Sequence, residues 1–156
     1  MKPTDDLRVK GYQQLMEPSL LKQDLAISQA AHTTVLSGRD AIEKILNKED
    51  KRLMVIVGPC SNHDEKPAYD YAEKLKKLRD EVSEALLVVM RVYFEKPRTS
   101  VGWKGLIIDP RLDGTCDITD GLSKARRIVL RINEIGVPAA TEFLETITPQ
   151  YVADLV

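Results

Sequence analysis

The chain has 156 residues, about the length of one average domain and enough to bury a hydrophobic core. Its 23 basic and 24 acidic residues give a net charge of −1, which argues against a nucleic-acid-binding protein, so any anion site must be local. Two cysteines are too few for a disulfide framework, and the longest apolar run, 85–90, is far shorter than the roughly 20 residues of a membrane span. We therefore expect a soluble, cytoplasmic protein without a nucleic-acid or membrane partner.

Residues 1–50 are predicted to form an irregular arm followed by a helix. Ser28 has the residue type that caps helices, and small or apolar residues recur at steps of three and four from Ala31 to Ile45. The charged stretch 47–50 ends this pattern. Because the segment holds few large apolar side chains, we expect it to pack on another surface, and we treat it as separate from residues 51–156.

From Leu53 onward, strand and helix patterns alternate. The apolar, β-branched run Leu53–Val57 predicts a buried strand that stops at Gly58 and Pro59. The elements predicted after it are a helix from Asp64, a buried strand 86–94, an irregular stretch 95–119, a helix closed by Gly136 and Pro138, a strand 137–143, and a helix begun by Thr148 as cap and Pro149. This order is typical of βαβ units around a parallel sheet, so the predicted class is α/β.

The turn after the second strand carries a local positive charge. Residues 91–104 contain four cations and one anion, which gives +3 in a chain of net charge −1. Arginine and lysine at the carboxyl end of a parallel strand are suited to a phosphorylated small molecule, although a solvated surface cluster explains the composition equally well. Arg91 favours the binding site, because a cation within an apolar run needs an anionic partner or a ligand.

Three further residues at or near strand ends have both a structural and a functional interpretation. Cys60 lies just after the first predicted strand. It has three possible roles: a thiolate metal ligand, a nucleophile, or a small buried hydrophobic residue. His63 is more consistent with a contact at the helix start than with metal ligation. For Glu142, on the predicted third strand, the structural interpretation is a salt bridge with Arg91 or Lys96. The functional interpretation is that it orients a substrate or a water molecule.

Four segments together carry a family resemblance. They are Gly58–Ser61 with His63–Asp64, Met90–Thr99, Val101–Ile107, and Ile147–Tyr151 with Ala153–Leu155. The sequence resembles the microbial type I, amino-acid-regulated 3-deoxy-D-arabino-heptulosonate-7-phosphate (DAHP) synthases. The resemblance implies a (β/α)₈ TIM barrel with an N-terminal extension, of which this chain carries about the first three βα units. It also implies an aldol-like condensation of phosphoenolpyruvate with erythrose 4-phosphate, the first step of the shikimate route to aromatic amino acids.

The resemblance assigns substrate roles to residues of the cationic turn and the third strand. Arg91 and Lys96 would hold phosphoenolpyruvate, and Lys96 would also protonate or polarise its reacting end. Arg98 and Thr99 would bind the phosphate of erythrose 4-phosphate. Glu142 would lie beside phosphoenolpyruvate and its attacking water. Octulosonate phosphate synthases perform similar chemistry, and the Lys96–Thr99 segment disfavours them.

The resemblance also implies one divalent metal ion of the Mn, Fe, Co or Zn class, with Cys60 as its thiolate ligand. The other ligands, a His, a Glu and an Asp, would lie on later strands. A barrel needs about 250 residues and a catalytic metal at least three protein ligands, so we expect the isolated chain to be inactive. The alternative is a truncated, inactive chain with only an oligomer or interaction role. Asn62 and Ile108 depart from the Ile and Asn that are familiar in the family.

Regulation and assembly are further implications of the resemblance. The arm and the segment 147–151 would form a dimer contact and a feedback site for an aromatic amino acid. Asp5, Asp6 and Gln150 are the candidate effector residues. The assembly would be a homo-oligomer, either a dimer or a tetramer.

Overall fold

The computed structural model describes residues 4–9, 11–98 and 101–156. In chain order its elements are α1 (Pro18–Asp24), α2 (Gln29–Leu46), β1 (Leu53–Val57), α3 (Glu65–Glu81), β2 (Leu86–Arg91), α4 (Ile118–Ile135), β3 (Ala139–Ala140), α5 (Pro149–Val152) and a 3₁₀ helix (Ala153–Leu155). The strands form one parallel sheet in the order β1-β2-β3. Leu53 pairs with Leu86, and Met90 pairs with Ala139. The predicted α/β class with a parallel sheet is confirmed.

Local end signals set the bounds of the three long helices. The Ser28 hydroxyl accepts a hydrogen bond from the Ala31 amide at 3.3 Å, and the Asp64 carboxylate accepts one from the Lys66 amide at 3.2 Å. Gly136 ends α4 with a φ of 93°, a conformation that favours glycine. The predicted starts of α2 and α3 and the predicted end of α4 are therefore confirmed. No helix in the described part of the chain is both long and apolar enough to span a membrane.

The hydrophobic core lies between one face of the sheet and helices α3 and α4. Val88, Met90 and Ala139 point to that face, because alternate residues of a strand share a face and Met90 is paired with Ala139. The side chains that cover it are fully or almost fully buried, and they are Ala68, Ala72, Leu75, Leu122, Ala125, Ile128, Val129 and Ile132. This packing fixes the strands relative to the helices and so fixes where the strand ends lie.

A buried arginine attaches the N-terminal segment to this core. The side chain of Arg126 is only 1% exposed, and its guanidinium donates to the carbonyl oxygens of Leu25 and Tyr151 at 2.9 and 2.8 Å. It also forms a bidentate pair with the carboxylate of Asp154 at 2.8 and 2.9 Å. The Tyr151 hydroxyl donates to the Met16 carbonyl at 2.5 Å. The arm therefore packs on another surface, as the sequence predicts.

The first strand is less buried than predicted. Leu53 is 70% exposed and Ile56 is 49% exposed. Within the described residues β1 pairs only with β2, so one of its edges is open. The apolar run identifies the strand correctly, but the extent of its burial depends on elements that cover it from outside the described sheet.

The third strand and the last helix also differ from their predictions. Paired strand is limited to Ala139–Ala140, and Phe143 is 42% exposed on the loop that follows. The strand ends early because a side chain takes the place of the next backbone bond. The Thr141 hydroxyl donates to the Val92 carbonyl at 2.8 Å, and in a longer strand a backbone amide would donate to this carbonyl. Thr148 does not cap α5. Its backbone is already helical, and the Glu145 carboxylate accepts from the amides of Ile147 and Thr148.

Candidate functional site

The carboxyl ends of β1 and β2 bring two polar turns together. Gly58 follows β1 directly and lies against β2, where a Cβ atom at this position would be 2.4 Å from the Arg91 carbonyl oxygen. Only glycine permits this approach. The close passage puts Cys60, two residues later, next to the turn that follows β2.

Cys60 and Lys96 are in direct contact across these turns. The Lys96 ammonium is 3.1 Å from the Cys60 sulfur and donates to the Cys60 carbonyl at 3.2 Å. The bond from Lys96 and its charge lower the pKa of the Cys60 thiol, and Arg91 and Arg98 add to the effect. Because the side chain is exposed, the interpretation of Cys60 as a small buried hydrophobic residue is wrong.

The chemistry of Cys60 fits one position of a metal site. A thiolate is a good ligand for Zn²⁺ and for other first-row transition metals. Within residues 4–9, 11–98 and 101–156, no cluster of three or more His, Cys, Asp or Glu side chains could hold a metal ion. These residues therefore fit one ligand of such a site, and further ligands must come from elsewhere.

Arg91 is positioned by backbone carbonyls. Its Nε donates to the Pro59 carbonyl and its Nη2 to the Gly58 carbonyl, both at 3.2 Å. The guanidinium carbon lies 5.1 Å from the centre of the Tyr93 ring. In the described part of the chain no carboxylate forms a salt bridge with Arg91. The two carbonyl contacts therefore hold the Arg91 guanidinium in place, and its charge is available to an anion.

The other three predicted substrate residues are Arg98, Thr99 and Glu142, and the structure describes two of them. Arg98 is exposed, and its amide donates to the Lys96 carbonyl at 2.7 Å. Thr99 lies outside the described residues. Glu142 is exposed on the loop after β3 and forms no salt bridge with Arg91 or Lys96 within the described residues, so that structural interpretation is wrong.

The candidate effector residues are all exposed. Asp5 and Asp6 are exposed on the arm. Asp6 accepts a hydrogen bond from the Tyr12 hydroxyl at 2.7 Å, and this bond raises the pKa of Tyr12. Gln150 is exposed on α5, and its side-chain amide donates to the Thr146 carbonyl at 3.5 Å. No hydrogen bond among the described residues joins the two groups.

Glu95 is a residue that the sequence analysis missed. One oxygen of its carboxyl group is buried without a hydrogen-bond partner among the described residues, in a cavity of about 180 Å³ that Glu145 also lines. Burial raises the pKa of Glu95, and the nearby carboxylates of Glu145 and Glu142 raise it further. A glutamate within a cationic run reads as an ordinary surface residue, so only the fold reveals its burial.

The fold and this site define a class of protein. It is a parallel α/β protein with an exposed thiol of lowered pKa and several cations at the carboxyl ends of adjacent strands, where such folds bind ligands. Comparison with known proteins then gives the family. Residues 24–156 match the DAHP synthetase I family, and the chain belongs to it.

Individual relatives are similar over nearly the whole chain. The Phe-sensitive phospho-2-dehydro-3-deoxyheptonate aldolase of Escherichia coli K12 is 53% identical over 97% of this chain and 43% of its own length. The tyrosine-inhibited enzyme of Schizosaccharomyces pombe is 48% identical over 97% of this chain and 41% of its own length. A solved aldolase of the same name from Francisella tularensis superposes with a TM-score of 0.92 at 44% identity, covering 95% of this chain and 43% of that one. The chain thus spans less than half the length of the relatives it matches.

Proposed function

We propose that this chain is part of a DAHP synthase that condenses phosphoenolpyruvate with erythrose 4-phosphate to give DAHP and phosphate. The observation that carries the proposal is the contact between Lys96 and Cys60, with Arg91 beside it, at the carboxyl ends of two parallel strands. The names of the relatives support the same activity, because they are phospho-2-dehydro-3-deoxyheptonate aldolases.

In this proposal the described sheet is the first part of a (β/α)₈ barrel. Residues 1–50 form the N-terminal extension, and residues 51–156 supply about three of the eight βα units. The exposed apolar side chains of β1 support this arrangement, since Leu53 and Ile56 are 70% and 49% exposed. The two side chains point to opposite faces of the sheet, and a closed barrel covers both faces, one with the barrel interior and the other with the outer helices.

Arg91 and Lys96 hold phosphoenolpyruvate. Both are cations at the same sheet edge, and Arg91 is already oriented by two carbonyl oxygens. Arg98 and Thr99 bind the phosphate of erythrose 4-phosphate from the following turn. Fixed cations bring together two anionic substrates that repel each other in water, and their fixed positions lower the entropic cost of the encounter.

Lys96 and Glu142 act at the reacting end. The Lys96 ammonium holds a proton at Nζ, from which it polarises or protonates phosphoenolpyruvate. Glu142, on the loop after β3, orients the attacking water. The exposure of the Glu142 carboxylate is compatible with this role, since a solvent-facing base has access to water.

Cys60 is the residue of this chain that would hold the divalent ion, which is of the Mn, Fe, Co or Zn class. When bound, the ion polarises the aldehyde of erythrose 4-phosphate as a Lewis acid. The lowered pKa of the thiol supports the assignment, because a metal ligand must be a thiolate. The other ligands, a His, a Glu and an Asp, belong to the rest of the barrel.

The amino-acid sensitivity of the relatives supports a regulatory site for an aromatic amino acid. Asp5, Asp6 and Gln150 are the candidate effector residues, and the assembly is a homo-oligomer, either a dimer or a tetramer. Measured inhibition by phenylalanine, tyrosine and tryptophan in turn, in the wild type and in Gln150→Ala, tests this part of the proposal. Equal inhibition of both proteins would remove Gln150 from the site.

The catalytic assignments are tested in a polypeptide extended to the length of the relatives. Lys96→Ala and Cys60→Ala should each abolish the consumption of phosphoenolpyruvate with Mn²⁺ present. The matched controls are Lys66→Ala and Cys116→Ala, which change an exposed lysine and the other exposed cysteine. Wild-type rates in Lys96→Ala or Cys60→Ala would refute the corresponding role.

A further inference from the structure

The turn that carries Lys96 and Arg98 is closed at its base by a short backbone pairing. Glu95 and Gly105 form an isolated antiparallel bridge, and the Lys96 amide donates to the Lys104 carbonyl at 3.0 Å. We call this pairing of residues 95–96 with 104–105 the neck. Because Lys96 belongs to the neck itself and Arg98 is two residues beyond it, the position of the neck determines where both cations lie.

Gly105 is the residue that allows the neck to close. Its φ is +107°, a conformation that side-chain-bearing residues rarely adopt. A Cβ atom there would lie 2.1 Å from the Phe94 carbonyl oxygen and 2.6 Å from the Glu95 Cα. Both neighbours are backbone atoms, so a side chain at this position requires the two paired segments to move apart.

The far side of the neck is tied to the hydrophobic core. Leu106 and Ile107 are 1% and 3% exposed, and the Asp109 amide donates to the Gly105 carbonyl at 3.0 Å. The indole N–H of Trp103 donates to the Asp109 carbonyl at 2.8 Å while its ring packs against the core. These contacts make the segment after the neck a rigid support for the segment before it.

We propose that Gly105 and Trp103 are positioning residues for Lys96 and Arg98. The inference rests on the proposed function, because it assigns these residues a role in the binding of the two phosphorylated substrates. In this role they act on the two cations and not on a substrate. Gly105 lets the neck close at the distance that puts the Lys96 ammonium 3.1 Å from the Cys60 sulfur. Trp103 holds the supporting segment in place.

The first test compares Gly105→Ala with Gly114→Ala in the polypeptide of full family length. Gly114 also has a positive φ, +76°, but nothing lies within 4 Å of a Cβ atom there, so the control also puts a side chain at a positive φ but displaces no neighbouring segment. We expect Gly105→Ala to raise the KM for both substrates by about 10- to 100-fold, the loss expected for a misplaced charged hydrogen bond. Gly114→Ala should leave both KM values unchanged.

A purely structural role predicts a different kinetic result. A smaller folded fraction lowers the apparent kcat in proportion and leaves KM unchanged. Wild-type KM values in folded Gly105→Ala would therefore overturn the inference. Trp103→Phe is the milder variant, since it keeps an aromatic ring against the core but removes the N–H donor and part of the indole, and it should raise both KM values in the same direction. Unchanged KM values in Trp103→Phe would remove Trp103 from the proposal.

A second measurement separates this inference from the proposed function. Trypsin cleaves after Arg98, so its cleavage rate at that bond reports on the turn. The bond after Lys104 is not compared, because Gly105→Ala changes that bond itself. In the 156-residue chain we expect Gly105→Ala to be cut faster after Arg98 than Gly114→Ala, with cleavage outside the turn unchanged. Equal rates would contradict the neck even if the synthase activity is present. An inactive wild type of full length with the expected cleavage pattern would refute the proposed function and leave the neck standing.

Discussion

Arg126 offers a sharp test of how the N-terminal segment is held. Its guanidinium is 1% exposed and bonds to two carbonyl oxygens and to the Asp154 carboxylate. The partner carboxylate is 32% exposed, so the arginine is the buried end of the pair. We predict that Arg126→Ala strongly destabilises the chain and releases residues 16–25 from the core.

The size of the effect follows from the groups left behind. Arg126→Ala removes the donor from two carbonyl oxygens and leaves Asp154 with only the more distant Lys22, 3.8 Å away. Removal of one partner from a buried ion pair costs about 3–5 kcal/mol. The matched control is Arg131→Ala on the same helix, where the arginine is 52% exposed and its salt bridge with Glu134 spans 3.4 Å. An exposed pair of this kind contributes at most about 1 kcal/mol.

The dependence on pH provides a second signature. Burial alone would raise the pKa of Asp154, but the bond from Arg126, its charge and that of Lys22 outweigh it, and the pKa is lowered. A carboxyl with a lowered folded-state pKa stabilises the fold above its ordinary pKa and loses that contribution as the pH falls through the folded-state value. The difference between wild type and Arg126→Ala should therefore shrink in acid.

Urea unfolding followed by the fluorescence of Trp103, the single tryptophan, measures both effects. We expect the free energy of unfolding to fall by about 3–5 kcal/mol in Arg126→Ala and by less than about 1 kcal/mol in Arg131→Ala. Equal losses in the two variants, or a loss in Arg126→Ala that is the same at neutral and acidic pH, would refute the reasoning.

Three further predictions concern the strand ends. Alkylation of Cys60 by iodoacetamide is compared with and without Lys96→Met, both in a Cys116→Ser background. With Lys96 present, the alkylation rate should reach half its maximum at a lower pH, because Lys96 lowers the thiol pKa. Identical pH–rate profiles would contradict the contact between Lys96 and Cys60. Glu95 has a raised folded-state pKa, so its ionised form destabilises the fold. Glu95→Gln should therefore raise Tm at neutral pH, with the gain lost below the ordinary glutamate pKa. Exposed Glu73→Gln is the control, because Glu73 is not among the carboxylates that raise the pKa of Glu95. Gly58→Ala should cost about 1–3 kcal/mol by overpacking against β2, whereas Gly11→Ala, with open space around it, should cost far less; equal urea midpoints would contradict this packing.

Much of the fold follows from local sequence signals. The apolar run at Leu53–Val57 gives the first strand, and Ser28 and Asp64 give two helix starts, because capping and strand propensity depend on neighbouring residues. Gly136 marks a helix end for the same reason. These elements are predictable without knowledge of their tertiary contacts.

Other features depend on distant residues and escape such signals. The third strand is short because Thr141 bonds through its side chain to Val92, which lies 49 positions away. The exposure of Cys60 and its contact with Lys96 depend on how two turns meet, so the sequence alone leaves several roles open for the cysteine. The burial of Glu95 is likewise a consequence of the packing of the loop after β3.

The proposed synthase is tested most directly by one activity measurement. In a chimera, this chain replaces the aligned 43% of the Phe-sensitive Escherichia coli relative. The consumption of phosphoenolpyruvate in the presence of erythrose 4-phosphate and Mn²⁺ is then measured for the chimera and for the isolated 156-residue chain. We predict turnover by the chimera and none by the isolated chain, because in the proposed function Cys60 is one metal ligand and the others belong to the rest of the barrel. A folded chimera without turnover, or turnover by the isolated chain, would contradict the account.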